Sequence, residues 1–338
     1  SHWKDVELTY ANGLITGKTG LEETYNERLR GQHGSKMYEM NARGQLFKSF
    51  SFLQPSKGAD LYTHLDIDAQ KSAAQFLGNR KGAVVAIDLQ SGGVNVLYSA
   101  PTFSINKLSN GMSDQEFQLL IKNAEKPFFN RALQGRYPPA STIKPAIGMF
   151  GLANDIVDWE YQIKDPGFFT LPETGRIYRG WRKGGHGKVN MRKAILVSSN
   201  TYFFSLAYQS NINQLAQHLS SLGFGTKICD DCFEEDKAFV PTPEWKYSMM
   251  NAGWVTGDTV NLGIGQGYLV TTPMQLANYA SILANKGKAI EPSLVVAGNQ
   301  KKPFRTWKNE GFANLDWEKM HEALTGVIES DFGTARSI

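Results

Sequence analysis

A hydroxyl three residues ahead of an amine is a minimal acyl-transfer pair, because helical geometry sets positions i and i+3 on one face. The chain holds this S-x-x-K spacing at Ser1/Lys4, Ser104/Lys107 and Ser141/Lys144, so the spacing alone selects nothing. S-x-N also recurs, at Ser104-Ile105-Asn106 and Ser198-Ser199-Asn200. Context separates the copies. Only Ser141-Thr142-Ile143-Lys144 is predicted to stand at the head of a helix, after Arg136-Tyr137-Pro138-Pro139-Ala140 and before Ile147-Gly148-Met149-Phe150. The prolines stiffen the entry, and a serine at a helix N-terminus sits in the favourable field of the dipole. The plainer alternative makes Ser141 an N-cap and Lys144 a solvated first-turn lysine.

Lys144 as a base faces a question of magnitude. An ordinary lysine titrates near 10.4, so a neutral amine at pH 7 needs a drop of roughly three units, some 4 kcal/mol. Burial with a neighbouring cation or dipole supplies that much, and a second polar group is then needed to relay the proton. Ser198-Ser199-Asn200 is the candidate, since a turn can aim Ser198 and Asn200 into one cleft. Against this stands a capping role, with Asn200 as N-cap of a helix over 201–209.

These groups must be positioned by a chain of 338 residues, a length suited to about two domains. Apolar residues make up 41% and charged residues 20%, which is ordinary globular composition. The formal charge is +4 without a dense Lys/Arg run, which argues against nucleic acid. The longest apolar stretches, such as Ala83 to Ile87, fall far below the roughly 18 residues of a membrane span. The start, Ser1-His2-Trp3-Lys4, is no signal peptide and lacks an initiator Met, so any native anchor is expected to lie outside the sequence. Cys229 and Cys232 form a lone C-x-x-C, and the six His show no zinc-type spacing. The pair reads as two thiols in an acidic surface loop with Asp230, Asp231, Glu234, Glu235 and Asp236; a redox pair or local disulfide is the alternative.

Residues 1–58 are polar and punctuated by glycine, starting with the Asn12-Gly13 turn, and hold one brief helix from Leu21 to Arg30. They cannot bury a core of their own. Leu61 to Leu65 alternates as a strand does, and Asp66 to Leu77 reads as a helix closed by Gly78. Gly82 to Leu89 and Val94 to Ser99 flank the turn Gln90-Ser91-Gly92-Gly93 as a hairpin. Residues 101–140 read as loop-rich. Helices follow over Thr142 to Ala153, after Asn200, over Asn213 to Leu222, from Pro273 to Ala284 and over 316–329. One strand pair followed by many helices predicts an α+β fold with a helical lobe beside a sheet.

Several of these segments, in order, resemble the class B penicillin-binding proteins. Tyr137 to Pro145 is similar to their nucleophile motif, and Ser198-Ser199-Asn200, 57 residues on, to their second motif. Gly263-Ile264-Gly265-Gln266-Gly267-Tyr268 with Thr272-Pro273-Met274-Gln275-Leu276 resembles the segment before their cleft-side helix. Gly17 to Tyr25 and Leu29-Arg30-Gly31 resemble their linker motif, while Asp165 to Pro172 with Gly184-Gly185-His186-Gly187 resembles the branch that serves cell elongation. The resemblance implies the serine β-lactamase-like transpeptidase fold: an antiparallel sheet flanked by helices plus an all-helical lobe. An N-terminal pedestal remnant would cover 1–58 and the transpeptidase domain 59–338. It implies D,D-transpeptidation of peptidoglycan stem peptides, with Ser141 as nucleophile, Lys144 as base, Ser198 as proton relay and Asn200 holding the substrate amide. No cofactor is required. β-Lactams would acylate Ser141, and the implied partners are a RodA-like membrane glycosyltransferase and elongation scaffold proteins at the bacterial inner membrane, with the catalytic domain in the periplasm.

The family's third motif, Lys-Ser/Thr-Gly on a strand after S-x-N, has no counterpart there. The one such triplet, Lys18-Thr19-Gly20, lies more than 120 residues before Ser141 and reads as a decoy. The chain is therefore expected to continue past Ile338 into a strand that carries the motif. In relatives an acidic, His and Cys cluster can hold zinc. Asp165 and His186 match two such positions, but Gly180 and Ser199 stand at the others, so no metal is expected. A serine β-lactamase of the same fold and a catalytically silent scaffold are the alternative functions.

Overall fold

Lys144-Pro145-Ala146-Ile147-Gly148-Met149-Phe150-Gly151 is apolar on every face after its first residue, and a helix of that kind has to be buried. In the computed structural model, which describes residues 16–40, 43, 45–296, 306–308, 312 and 314–337, the helix Lys144–Ala153 is the centre of the molecule. Pro145 fits its first turn, where no backbone N–H is needed. Gly151 lets the Asn200–Tyr208 helix approach: a Cβ there would lie 2.7 Å from a Leu206 methyl. Ile143, Ile147, Phe150, Phe203 and Leu206 form the core of this lobe, joined by the helices Ile212–Ser221 and Pro273–Ala284. Each such side chain contributes about 1.5–3 kcal/mol through burial.

Beside the lobe stands an antiparallel hairpin, Gly82–Ile87 with Val94–Ala100. The first strand stops at Ile87 rather than at Leu89, because the Asp88 carboxylate accepts from the backbone of Gln90 and Ser91 and closes the turn early. The helix Ile67–Leu77 packs on the second strand and Pro273–Ala284 on the first. Asp66 caps the former by accepting from Asp68 and Ala69. The described sheets are all two-stranded and antiparallel. Helices flanking an antiparallel hairpin, with an all-helical lobe alongside, make an α+β architecture of the kind the resemblance implies.

Four local expectations need correction. Leu61 to Leu65 is not a strand; only Thr63 makes a bridge, to Val295. Leu21 to Arg30 divides into Gly20–Thr24 and Asn26–Arg30, because Tyr25 turns inward and buries its ring against the body of the domain. Residues 101–140 contain helices at Ile105–Ser109, Asp114–Lys122 and Arg131–Gln134, the second opened by a Ser113/Glu116 capping box. Cys229 and Cys232 are joined as a disulfide and are 4% and 3% exposed, and Asp231 and Glu235 are buried with them. The loop is not a solvated surface: its carboxylates are turned onto backbone N–H groups, Glu235 onto Ile228 and Cys229, and Asp231 onto Leu294 and Val295.

Candidate active site

Ala140–Ile143 is a 3-10 turn that runs directly into the Lys144–Ala153 helix. Ser141 thus sits within a helical turn, not at the cap position the plain reading gave it. In a 3-10 turn residues i and i+3 eclipse, so Ser141 and Lys144 share one line along the axis. Ser141 is exposed, whereas Lys144 is 2% exposed. The entry is set from outside. Tyr137 exchanges backbone hydrogen bonds with Thr271, and Ala140, at φ 51°, donates its N–H to the Gly265 carbonyl at 3.0 Å. Gly265 has φ +69°, and a Cβ there would lie 2.2 Å from the Ala140 oxygen. The Gly263-to-Tyr268 segment is therefore a backbone wall against which the serine segment is seated.

Lys144 is held from the second segment. Its Nζ donates to the Ser198 carbonyl at 2.8 Å, and it contacts Ser198 Oγ at 2.9 Å and Asn200 Oδ1 at 2.7 Å. Burial lowers the Lys144 pKa to about 7, against the opposing charge of Asp165. A neutral amine has two N–H donors and one lone pair, which match the carbonyl, the amide oxygen and the Ser198 hydroxyl. The structure brings Lys144, Ser198 and Asn200 into one network. Among the described residues, the Ser141 hydroxyl makes no hydrogen bond to it and faces solvent at the open end of the same turn.

Two features aim Ser198 and Asn200 together. Ser198 adopts a left-handed φ of 51°, which a serine holds only when its surroundings enforce it. Ser199, not Asn200, is the N-cap: its Oγ accepts from Tyr202 N and donates to the buried Asp165 carboxylate at 2.7 Å. Asn200 is freed from capping and can point at the amine. Trp181, 59% exposed, donates its indole N–H to the Ser198 carbonyl at 3.0 Å, the same oxygen that Lys144 uses. Sequence reasoning missed Trp181 and the part played by Asp165. A tryptophan in a Gly-rich loop was the available signal for the first, while the second depends on tertiary contact.

The other candidates lie elsewhere. Ser104 caps the short helix Ile105–Ser109 by accepting from Lys107 N, so that S-x-x-K is a structural cap. Ser1/Lys4 and the Asn12-Gly13 turn fall outside the described residues. Lys18-Thr19-Gly20 is the exposed lead into the Gly20–Thr24 helix and lies on no strand. The Asp165 region does not fit zinc. One carboxylate oxygen accepts from Gly167 N and the other from Ser199 Oγ, Gly180 has no side chain, and of these four positions only His186 keeps a buried donor atom, Nε2, that is not already hydrogen-bonded.

Residues 82–337 match the family of the penicillin binding protein transpeptidase domain, and residues 3–63 match the penicillin-binding protein dimerisation domain. The chain belongs to the penicillin-binding proteins. It is 41% identical to the peptidoglycan D,D-transpeptidase MrdA of Acinetobacter baumannii over 97% of this chain and 50% of that protein. It is 33% identical to MrdA of Escherichia coli K12 over 97% of this chain and 52% of the other. The chain thus spans about half the length of the curated relatives it matches. Among solved structures, Pseudomonas aeruginosa penicillin-binding protein 2 in complex with WCK 5153 superposes with a TM-score of 0.84 at 34% identity, covering 95% of this chain and 68% of that one. The Helicobacter pylori penicillin-binding protein 2 complexed with MreC gives a TM-score of 0.84 at 31% identity, covering 95% and 59%.

Proposed function

We propose that this chain carries the catalytic serine of a peptidoglycan D,D-transpeptidase of the elongation type. The observation that carries the reading is the buried Lys144 amine, hydrogen-bonded to Ser198 and Asn200 and three residues along the turn from the exposed Ser141. The Ser141 oxygen attacks the carbonyl of the penultimate D-Ala of a stem peptide while neutral Lys144 takes the hydroxyl proton. The Ser141 backbone N–H is a donor for the resulting oxyanion. Ser198, hydrogen-bonded to the amine, passes a proton to the leaving D-Ala nitrogen as the peptide bond breaks. An amine from a neighbouring stem then attacks the ester, forms the cross-link and returns the proton to Ser141. The Asn200 side-chain amide holds the donor peptide's backbone. No cofactor enters.

β-Lactams, which resemble the D-Ala-D-Ala terminus, would acylate Ser141 by the same steps. The MreC-bound neighbour supports elongation scaffold proteins as partners, and the reading extends to a RodA-like glycosyltransferase at the bacterial inner membrane, with the catalytic domain in the periplasm. No helix among the described residues is long and apolar enough to cross a membrane. The test is Ser141→Ala, which should abolish covalent labelling by a fluorescent penicillin and shift Tm by only a few degrees. Labelling that persists, or that moves to Ser104, would refute the assignment, and rapid hydrolysis of the label would indicate a β-lactamase.

A further inference from the structure

Residues 163–193 carry eight cationic side chains against two acids, a formal +6, whereas the whole chain carries +4. This segment forms two short antiparallel ribbons, Ile163–Asp165 with Gly187–Val189 and Phe168–Thr170 with Ile177–Arg179. One of its acids, Asp165, is buried on Ser199, and the other, Glu173, accepts from the Tyr208 hydroxyl. Glu173 is exposed, but among the described residues neither acid is within ion-pair distance of a cation of this segment. Arg179, Arg182, Lys183 and Lys188 are exposed, and among the described residues none has a carboxylate within ion-pair distance.

The pairing makes this arrangement costly. Lys164 and Lys188 stand directly opposite each other across the first ribbon, a like-charge pair that destabilises an antiparallel ladder. A surface that keeps such a pair without a counter-charge is suited to an anion brought from outside. Its position says which kind. Trp181 lies between Arg179 and Arg182 and donates to the Ser198 carbonyl beside Lys144, so the basic rim borders the candidate active site. Much of the indole is exposed and offers an apolar floor beside those cations.

We infer that the 179–188 rim, floored by Trp181 and charged by Arg179, Arg182 and Lys183, is a substrate subsite for the free carboxylates of an acidic stem peptide. The inference rests on the transpeptidase reading and names the charge of the substrate that reading requires. Three exposed pairs of this kind give about a tenfold preference for the charged peptide.

The test uses the whole protein carrying Ser141→Ala, so that peptide binds without reacting. Calorimetry compares a synthetic pentapeptide ending in D-Ala-D-Ala, its side-branch carboxylates free, with the same peptide amidated at those groups. The free acid should bind about tenfold more tightly. That preference should vanish at about 0.5 M salt, where screening is short-ranged, and also when R179Q, R182Q and K183Q are combined. Lys183→Gln alone, at the exposed tip, provides a second variant and should reduce the preference in part. Equal affinity for the two peptides, or a preference that survives the triple substitution, overturns the subsite. If the triple substitution instead removes binding to phosphatidylglycerol vesicles while the two peptides bind alike, the rim faces lipid and the inference fails. Penicillin labelling of the unsubstituted protein is scored separately. Its absence removes the acyl-transfer reading, whereas equal peptide affinities in a protein that labels remove only the subsite.

Discussion

Lys144 is the residue on which the chemistry turns, and its state has a direct kinetic consequence. The reactive form is the free amine, and burial sets its pKa at about 7. Acylation by a fluorescent penicillin should therefore rise as pH passes upward through about 7 and level off above it. A rate that is flat or falling across that range would remove Lys144 from the role of base. Asp165 favours the ammonium form through its charge, so Asp165→Asn should move the rising limb to lower pH while keeping an oxygen for Ser199 Oγ. The same shift affects stability. Folding holds Lys144 with fewer protons than the unfolded chain between about 7 and its ordinary 10.5, so its contribution to stability grows as pH rises through that window. The need for burial and a polar partner was legible from the size of the required pKa change alone. The opposing charge of Asp165 was not, because it lies 21 positions further along the sequence, on a separate ribbon.

The elements that hold this residue were legible where their ends carry chemistry of their own. Asp66 and Gly78 bound one helix as expected, and Pro273 to Ala284 was placed to the residue. Capping was assigned one position too late at Asn200, since Ser199 and Asn200 are both good caps and only Asp165 decides between them. Ser199→Ala should therefore cost more than an ordinary cap. The cap itself is worth about 1 kcal/mol, and the buried Asp165 oxygen left without its donor adds about 1–3 kcal/mol. A Tm drop of several degrees with slower acylation is expected, and an unchanged Tm would mean that water replaces the hydroxyl. Gly265→Ala tests the wall on the other side. A Cβ at φ +69° and 2.2 Å from the Ala140 oxygen must displace the serine segment, so penicillin acylation should fall more than tenfold. Wild-type acylation in that variant would show that Ser141 is seated without the Gly-rich segment.

At the scale of the whole molecule, the helical lobe and the hairpin are joined through a loop whose composition misleads. Five acids around Cys229 and Cys232 suggest a solvated surface, yet Asp231 is buried and draws the 293–295 segment onto the loop. Its carboxylate accepts from Leu294 N, from Val295 N at 2.8 Å and from Ser293 Oγ at 2.8 Å. That segment in turn bonds to the hairpin through Val94 N and the Ser293 carbonyl, and bridges to Thr63. Tyr25 packs in the same cluster as Cys229, Met274 and Val295, so the N-terminal segment is fastened at this point as well. Composition cannot reveal such a joint, because a carboxylate that accepts backbone N–H groups and one that faces water look alike in sequence. The disulfide closes a loop of only about four residues, for which chain entropy gives about 2 kcal/mol. Losing Asp231 strands the Leu294 N–H, at about 1–3 kcal/mol where it stays buried, and leaves the Ser293 hydroxyl and the Val295 N–H with the bonds within their own segment. Asp231→Ala should therefore lower the urea midpoint more than the paired Cys229→Ser and Cys232→Ser substitutions, and should loosen the N-terminal segment to proteolysis near Tyr25. Equal or reversed losses would mean that the covalent link, and not the buried carboxylate, holds the two parts together.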